Sequence, residues 1–147
     1  MAYDTETLRK IFAKTDGRCH ICWNEEGVIY FNNYGKPGAR GAWEVDHSLA
    51  RVMGGTNHLN NLWPAHIKCN RSRKAESIRK LRSNYGYVGS PLSAEAKEKI
   101  RVQNARLGAV GGGLVGLAAG GPAGAFLGAA LGTLFGRKQD PEKRHKK

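Results

Sequence analysis

The chain has 147 residues, a formal charge of +12 and a pI near 10.0. Three cysteines, an odd number, argue against a closed disulfide framework. The N-terminal MAYDTETLRK lacks the apolar run that a cleavable secretory signal needs. A basic chain of this length fits one domain plus an extension, with a polyanionic partner such as nucleic acid or anionic lipid.

The charge is unevenly placed. Residues 1–106 carry 18 Lys and Arg against 10 Asp and Glu, residues 107–136 carry none of these, and residues 137–147 carry 6 against 2. Asp4 or Thr5 caps a first helix whose Leu8, Ile11 and Phe12 fall at helical spacing, and Asp16-Gly17 ends it. Arg18 to Trp23, RCHICW, predicts a tight turn with Cys19 and Cys22 facing inward. Val28 to Phe31 predicts a strand, because β-branched and aromatic residues run together, and the glycines and proline of 32–41 predict a loop. Ala42 to Val45 predicts a short strand ending on Asp46-His47, and Gly54-Gly55 a turn. A helix is expected from Asn70 to about Ser83, stopped by Asn84-Tyr85-Gly86, and another from Ala94 to Leu107 with Ser93 as cap. Trp43 and Trp63 read as core aromatics, and His20, His58 and His145 as surface residues.

Cys19-x-x-Cys22 and His66-x-x-Cys69 together offer four ligands, a set that suits a structural zinc in a reducing compartment. A second group suits other chemistry. Hydrolysis of a phosphodiester needs a base to activate water, a cation to stabilise developing charge, and groups that hold phosphate. Histidine titrates near neutrality and fits the first role. A carboxylate and an amide oxygen fit Mg²⁺, which keeps waters in its shell. Asp46, His47, Asn61 and Asn70 follow in that order, with a strand before them and a basic helix after.

The pattern CxxC, VDH, a Gly-Gly turn and NNLWPAHIKCNRSRK resembles the HNH endonucleases, the ββα-metal nucleases, over residues 18–80. The resemblance implies an α+β fold: a small zinc-stapled nuclease domain with flanking helices, followed here by a Gly-rich helical hairpin. It implies DNA as substrate and a divalent cation, Mg²⁺ or Mn²⁺, at the catalytic site. His47 would be the general base, Asp46 and Asn70 would hold the cation, and Asn61 would orient the His47 ring through its backbone. His66 admits two readings, the last residue of the motif at the catalytic metal or the fourth zinc ligand. The second is adopted because Cys19, Cys22 and Cys69 otherwise lack one. Arg71, Arg73, Lys74 and Arg79 are expected to bind DNA phosphates, against the plainer reading of a solvated helix face. Ser93 to Gly108 faintly resembles the modular helix that accompanies homing endonucleases; a plain amphipathic helix explains it equally well.

Glycine recurs every four residues at Gly108, Gly112, Gly116, Gly120, Gly124, Gly128, Gly132 and Gly136. In water each costs a helix roughly 1 kcal/mol relative to Ala, whereas in a bilayer small residues four apart let helices approach closely. The segment 107–136 resembles glycine-zipper membrane-active sequences, with Gly120-Gly121-Pro122 as a turn or kink. As one helix it would run about 45 Å; as a hairpin each arm is about 20 Å, too short to cross a hydrocarbon core of about 30 Å unaided. Basic flanks, Arg101 and Arg106 before, Arg137 and Lys138 after, favour both ends on one side. A soluble hairpin that oligomerises and a flexible tail are the alternatives.

The expected organisation is a nuclease domain with structural zinc over 1–88, a linker helix over 89–106, a membrane-associated hairpin over 107–136 and a basic tail over 137–147. The expected activity is metal-dependent hydrolysis of DNA in the cytoplasm or at its membrane. The enzyme would serve as a defence nuclease or as an effector delivered into a target cell, the latter with an immunity protein as partner. The other readings are a phage or mobile-element nuclease whose tail forms a homo-oligomer, a DNA-binding protein without catalysis, and a permeabilising protein with the N-terminal domain as passenger.

Overall fold

A computed structural model of the chain describes residues 3–23 and 25–142. The fold is mixed α+β. Helix α1, Thr5–Ala13, is capped by Asp4, whose carboxylate accepts from the Thr7 amide at 2.8 Å and from its hydroxyl at 2.6 Å. Strand β1, Trp43–His47, pairs antiparallel with β2, Leu62–His66, in a register that sets Trp43 opposite His66 and His47 opposite Leu62. Helix α2, Ile67–Arg73, follows β2 without an intervening residue. Helices α3, Ile78–Asn84, and α4, Ala94–Lys138, complete the order.

Two apolar clusters hold this frame. Trp43 is fully buried with Leu8 and Ile11 of α1, Ile29 and Leu62. The rings of Phe12, Phe31 and Tyr34 lie 5.4, 6.2 and 5.0 Å from its own, and its indole N–H donates to Phe31 O at 3.2 Å. The second cluster gathers Ile21, Ala65 and Ile78 around Cys19, Cys22 and Cys69.

Before α4, two predicted elements differ from what forms. Val28 to Phe31 makes no strand. Ile29 N bonds to Gly17 O at 3.3 Å and Tyr30 N to Gly41 O at 3.0 Å, and Phe31–Asn33 coils as a single 3₁₀ turn. The run is apolar because Ile29 and Phe31 pack in the Trp43 cluster, not because it joins a ladder. The helix expected over 70–83 starts earlier, at Ile67, and breaks at Lys74, with φ 52° and ψ −116°. On one continuous helix Arg73 and Ile78 would lie about 140° apart; the break lets both turn inward, to 4% and 6% exposure. The Gly-Gly turn forms as expected, with Gly54 at φ 86° and Gly55 so close to the Leu49 carbonyl that any side chain would collide.

The described residues divide into two compact units, one through Ala94 and one from Glu95. In the second, α4 runs past the end expected at Leu107 and reverses at Gly120 and Gly121. Gly121, at φ 60° and ψ −151°, occupies a region open only to glycine. Pro122 opens the returning arm, where its missing N–H would be unpaired anyway. His145 and residues 143–147 of the expected basic tail lie outside the described residues.

Trp43→Ala should cost about 3–5 kcal/mol, read as a lower urea midpoint of the N-terminal unit, with Trp43→Phe losing less. An unchanged midpoint in Trp43→Ala would show that this cluster does not hold the frame.

Candidate functional site

The RCHICW turn folds back on itself, with Trp23 N bonded to Cys19 O at 2.9 Å, and His20 N ties it to β2 through Pro64 O at 2.9 Å. That attachment brings Cys19 and Cys22 to the end of β2, where His66 stands, and to the first turn of α2, which carries Cys69. The four ligand atoms are buried and lie within 4.8 Å of one another. His66 Nδ1 is 3.4 Å from Cys22 Sγ and 3.9 Å from Cys69 Sγ. Ligands of a tetrahedral zinc, at about 2.3 Å for sulfur and 2.1 Å for nitrogen, stand roughly 3.6 to 3.8 Å apart, so the group fits that ion. Burial raises the Cys19 thiol, but hydrogen bonds from Cys22, Cys69 and His66 outweigh it and hold Cys19 well below the usual range. Cys19 in turn pushes Cys22 up to about 12 and raises Cys69. Three thiols this close ionise together only around a cation.

His20, expected at the surface, is fully buried. The turn that presents the cysteines to β2 and α2 points His20 at β1, where its Nε2 lies 2.6 Å from Asp46 Oδ2. Arg82 of α3 contacts His20 Nδ1 at 2.9 Å and donates from Nε to His20 O at 2.7 Å. Because Arg82 can only donate, Nδ1 accepts and the Nε2–H proton goes to Asp46. Burial keeps His20 below its ordinary pKa, with Asp46 opposing. The ring stacks on Trp63 at 5.7 Å between centroids.

Arg73 requires a second correction. It was expected to meet DNA phosphate, yet its side chain is 3% exposed, with Nη1 3.1 Å from Asp46 Oδ2 and Nη2 donating to His47 O at 2.6 Å. The contacts from His20 and Arg73 to Asp46 both fall on Oδ2, so neither engages Oδ1.

Asp46, His47, Asn70 and Lys74 line one cleft of about 460 Å³. His47 Nε2 is 2.8 Å from Asn57 Oδ1. With Nε2–H donating there, Nδ1 keeps the lone pair that a base needs. Asn61 acts on the backbone after His47. Its Oδ1 accepts from Leu49 N at 2.7 Å, its Nδ2 donates to Leu49 O at 3.0 Å and Thr56 O at 2.9 Å, and its carbonyl accepts from Ser48 N at 2.8 Å. Asn70 donates from Nδ2 to Glu44 Oε1 at 3.0 Å, so its Oδ1 is turned to acceptor use. One carboxylate and one amide oxygen in an open cleft are the hard donors that Mg²⁺ or Mn²⁺ takes while keeping waters.

Sequence reading missed Asn57, Glu44 and Arg51. Glu44 shares a strand face with Asp46, a period-two signal that was available. Asn57 sits in a polar turn with nothing to single it out. Arg51 lines the cleft from the turn Arg51–Met53. Of the expected phosphate ligands, Arg71, Lys74 and Arg79 are exposed, but Arg79 lines a separate hollow with Lys80. His58 is exposed and caps the turn before β2 through its Nδ1, which accepts from Asn60 N at 3.3 Å.

The purified chain should carry one zinc per molecule by elemental analysis, and a chelator should lower its melting temperature. His66→Ala should lose zinc and stability; full retention of both would place the fourth ligand elsewhere. His20→Ala should keep its zinc yet lose about 1–3 kcal/mol, because it strips a donor from a buried carboxylate.

The span from Cys19 to Glu76, residues 19–76, matches the model of the HNH endonuclease family. Neither the comparison with curated proteins nor that with solved structures found a match. The matched span takes in the cysteine–histidine tetrad together with Asp46, His47, Asn61 and Asn70, so this segment carries an HNH endonuclease domain.

Proposed function

We propose that the chain is a divalent-cation-dependent endonuclease that hydrolyses DNA phosphodiester bonds. An HNH endonuclease domain implies a nuclease. The observation that carries the rest is that Asp46, His47 and Asn70 share one cleft, the last two each pinned through the atom the chemistry does not need. Mg²⁺ or Mn²⁺ held by Asp46 and Asn70 would supply Lewis-acid stabilisation of the charge that grows on the phosphate. His47 Nδ1 takes a proton from the attacking water, while Nε2–H on Asn57 Oδ1 keeps the ring from turning away. Asn61 fixes the chain just beyond the base. Arg51 and Lys74 line the cleft and Arg71 stands exposed beside Asn70; all three suit phosphate contact. Binding of that kind is salt-sensitive and weakly selective for sequence. Zinc at the tetrad is structural, since four protein ligands fill its coordination.

In the same reading, residues 107–136 associate with a lipid bilayer. That suits a membrane-held defence nuclease, or an effector nuclease with an immunity protein as partner.

Supercoiled plasmid should be nicked in Mg²⁺ or Mn²⁺, and His47→Ala should slow nicking by about 10²–10⁴-fold. Asn57→Ala should slow nicking less and leave DNA affinity unchanged, because the base remains but its ring is free. Equal nicking by His47→Ala would refute the assignment of the base, and DNA binding without cleavage by the unaltered chain would favour a non-catalytic binding protein. Structured RNA run in parallel tests the substrate class.

A further inference from the structure

Helical hairpins in water bury their large apolar residues between the arms and turn polar ones outward. The hairpin of α4 does the reverse. Gly108 faces Gly132, Gly112 faces Gly128 and Gly116 faces Gly124, so closely that a methyl group on any of them would meet the carbonyl oxygen of the facing glycine. With glycine filling the seam, Leu114, Val115, Phe126, Leu131 and Phe135 are all more than 60% exposed. None of the most apolar stretch of α4 is buried.

No side of this hairpin suits water. From Leu107 to Gly136 the one polar side chain is Thr133, and its hydroxyl donates to Ala129 O at 2.8 Å within its own helix. A second copy docked on one face would leave the opposite face as apolar as the first. A helix apolar all round belongs in a protein core or in hydrocarbon, and here close glycine contacts already occupy the seam. Charge resumes at the open end alone. Arg101 and Arg106 precede the first arm, Arg137 and Lys138 follow the second, and Arg137 Nη2 bridges the arms by donating to Glu98 Oε1 at 3.0 Å. The closed end carries only Gly120, Gly121 and Pro122.

We infer that the hairpin inserts, closed end first, into an anionic bilayer from one side, so that both of its ends and the nuclease unit stay on that side. This rests on the membrane reading above and adds its topology. Arms of about 20 Å pass the middle of a hydrocarbon core of about 30 Å. The cations at the open end remain among the headgroups, and cations on one side are the usual mark of the cytoplasmic face.

The full chain, bearing an epitope after Lys147, is floated with sealed vesicles of phosphatidylcholine and phosphatidylglycerol and then exposed to external proteinase K. The expected result is co-flotation, loss of the epitope and a protected fragment close to residues 107–136. Protection of the epitope inside the vesicles would overturn the one-sided topology while leaving the membrane reading intact. Failure to float would overturn both and leave the nuclease reading untouched. Leu114→Lys with Leu131→Lys keeps the glycine seam and charges the outer faces; flotation should fall more than tenfold with plasmid nicking unchanged. Flotation as strong as that of the unaltered chain would show that these faces do not meet lipid.

Discussion

Four buried ligands drawn from two distant stretches constrain everything else in the nuclease unit. Cys19 and Cys22 come from the turn after α1, His66 and Cys69 from the junction of β2 and α2. Each stretch carries, one residue beyond a ligand, a group that reaches toward the cleft. His20 follows Cys19 and bonds to Asp46; Asn70 follows Cys69 and bonds to Glu44. A cation that closes the tetrad therefore sets the spacing of both neighbours, and through them of the carboxylate and the amide that would face DNA. A unit with so small an apolar core depends on such a staple for its shape.

Around Asp46 the fold favours orientation over stability. Asp46 and Arg73 are each about 3% exposed at the side chain, and the desolvation of such a pair offsets most of its attraction. Burial also lowers Arg82 to about 10 and lowers His20. What these contacts achieve is geometric. They hold one carboxylate oxygen, and Arg73 ties the end of α2 to the His47 carbonyl at the end of β1.

Much of this was legible in the residues. The tetrad was readable because ligand spacing survives without knowledge of the fold, and α1 because Asp4 and an apolar period mark it locally. The chemistry and order of Asp46, His47 and Asn70 anticipate that the three share one cleft. What escaped depends on contacts between segments far apart in the chain. His20 looks like a solvated loop histidine until Pro64 anchors its turn, and Arg73 looks like one more cation on a basic face until Lys74 breaks the helix. Val28 to Phe31 has strand composition because it packs on Trp43, a demand that composition does not separate from pairing.

The hairpin from Glu95 onward obeys a different physics, with glycine inside and leucine outside, and its lipid reading stands apart from the account of the cleft. In the cleft, the zinc tetrad is what holds Asp46, His47 and Asn70 in the arrangement proposed to cut DNA. The most direct test of this is the rate of plasmid nicking at fixed Mg²⁺ as zinc is withdrawn in steps, with no residue of the cleft altered. The rate should fall in proportion to zinc content and return when zinc is restored. A zinc-free chain that cuts at the full rate would contradict it.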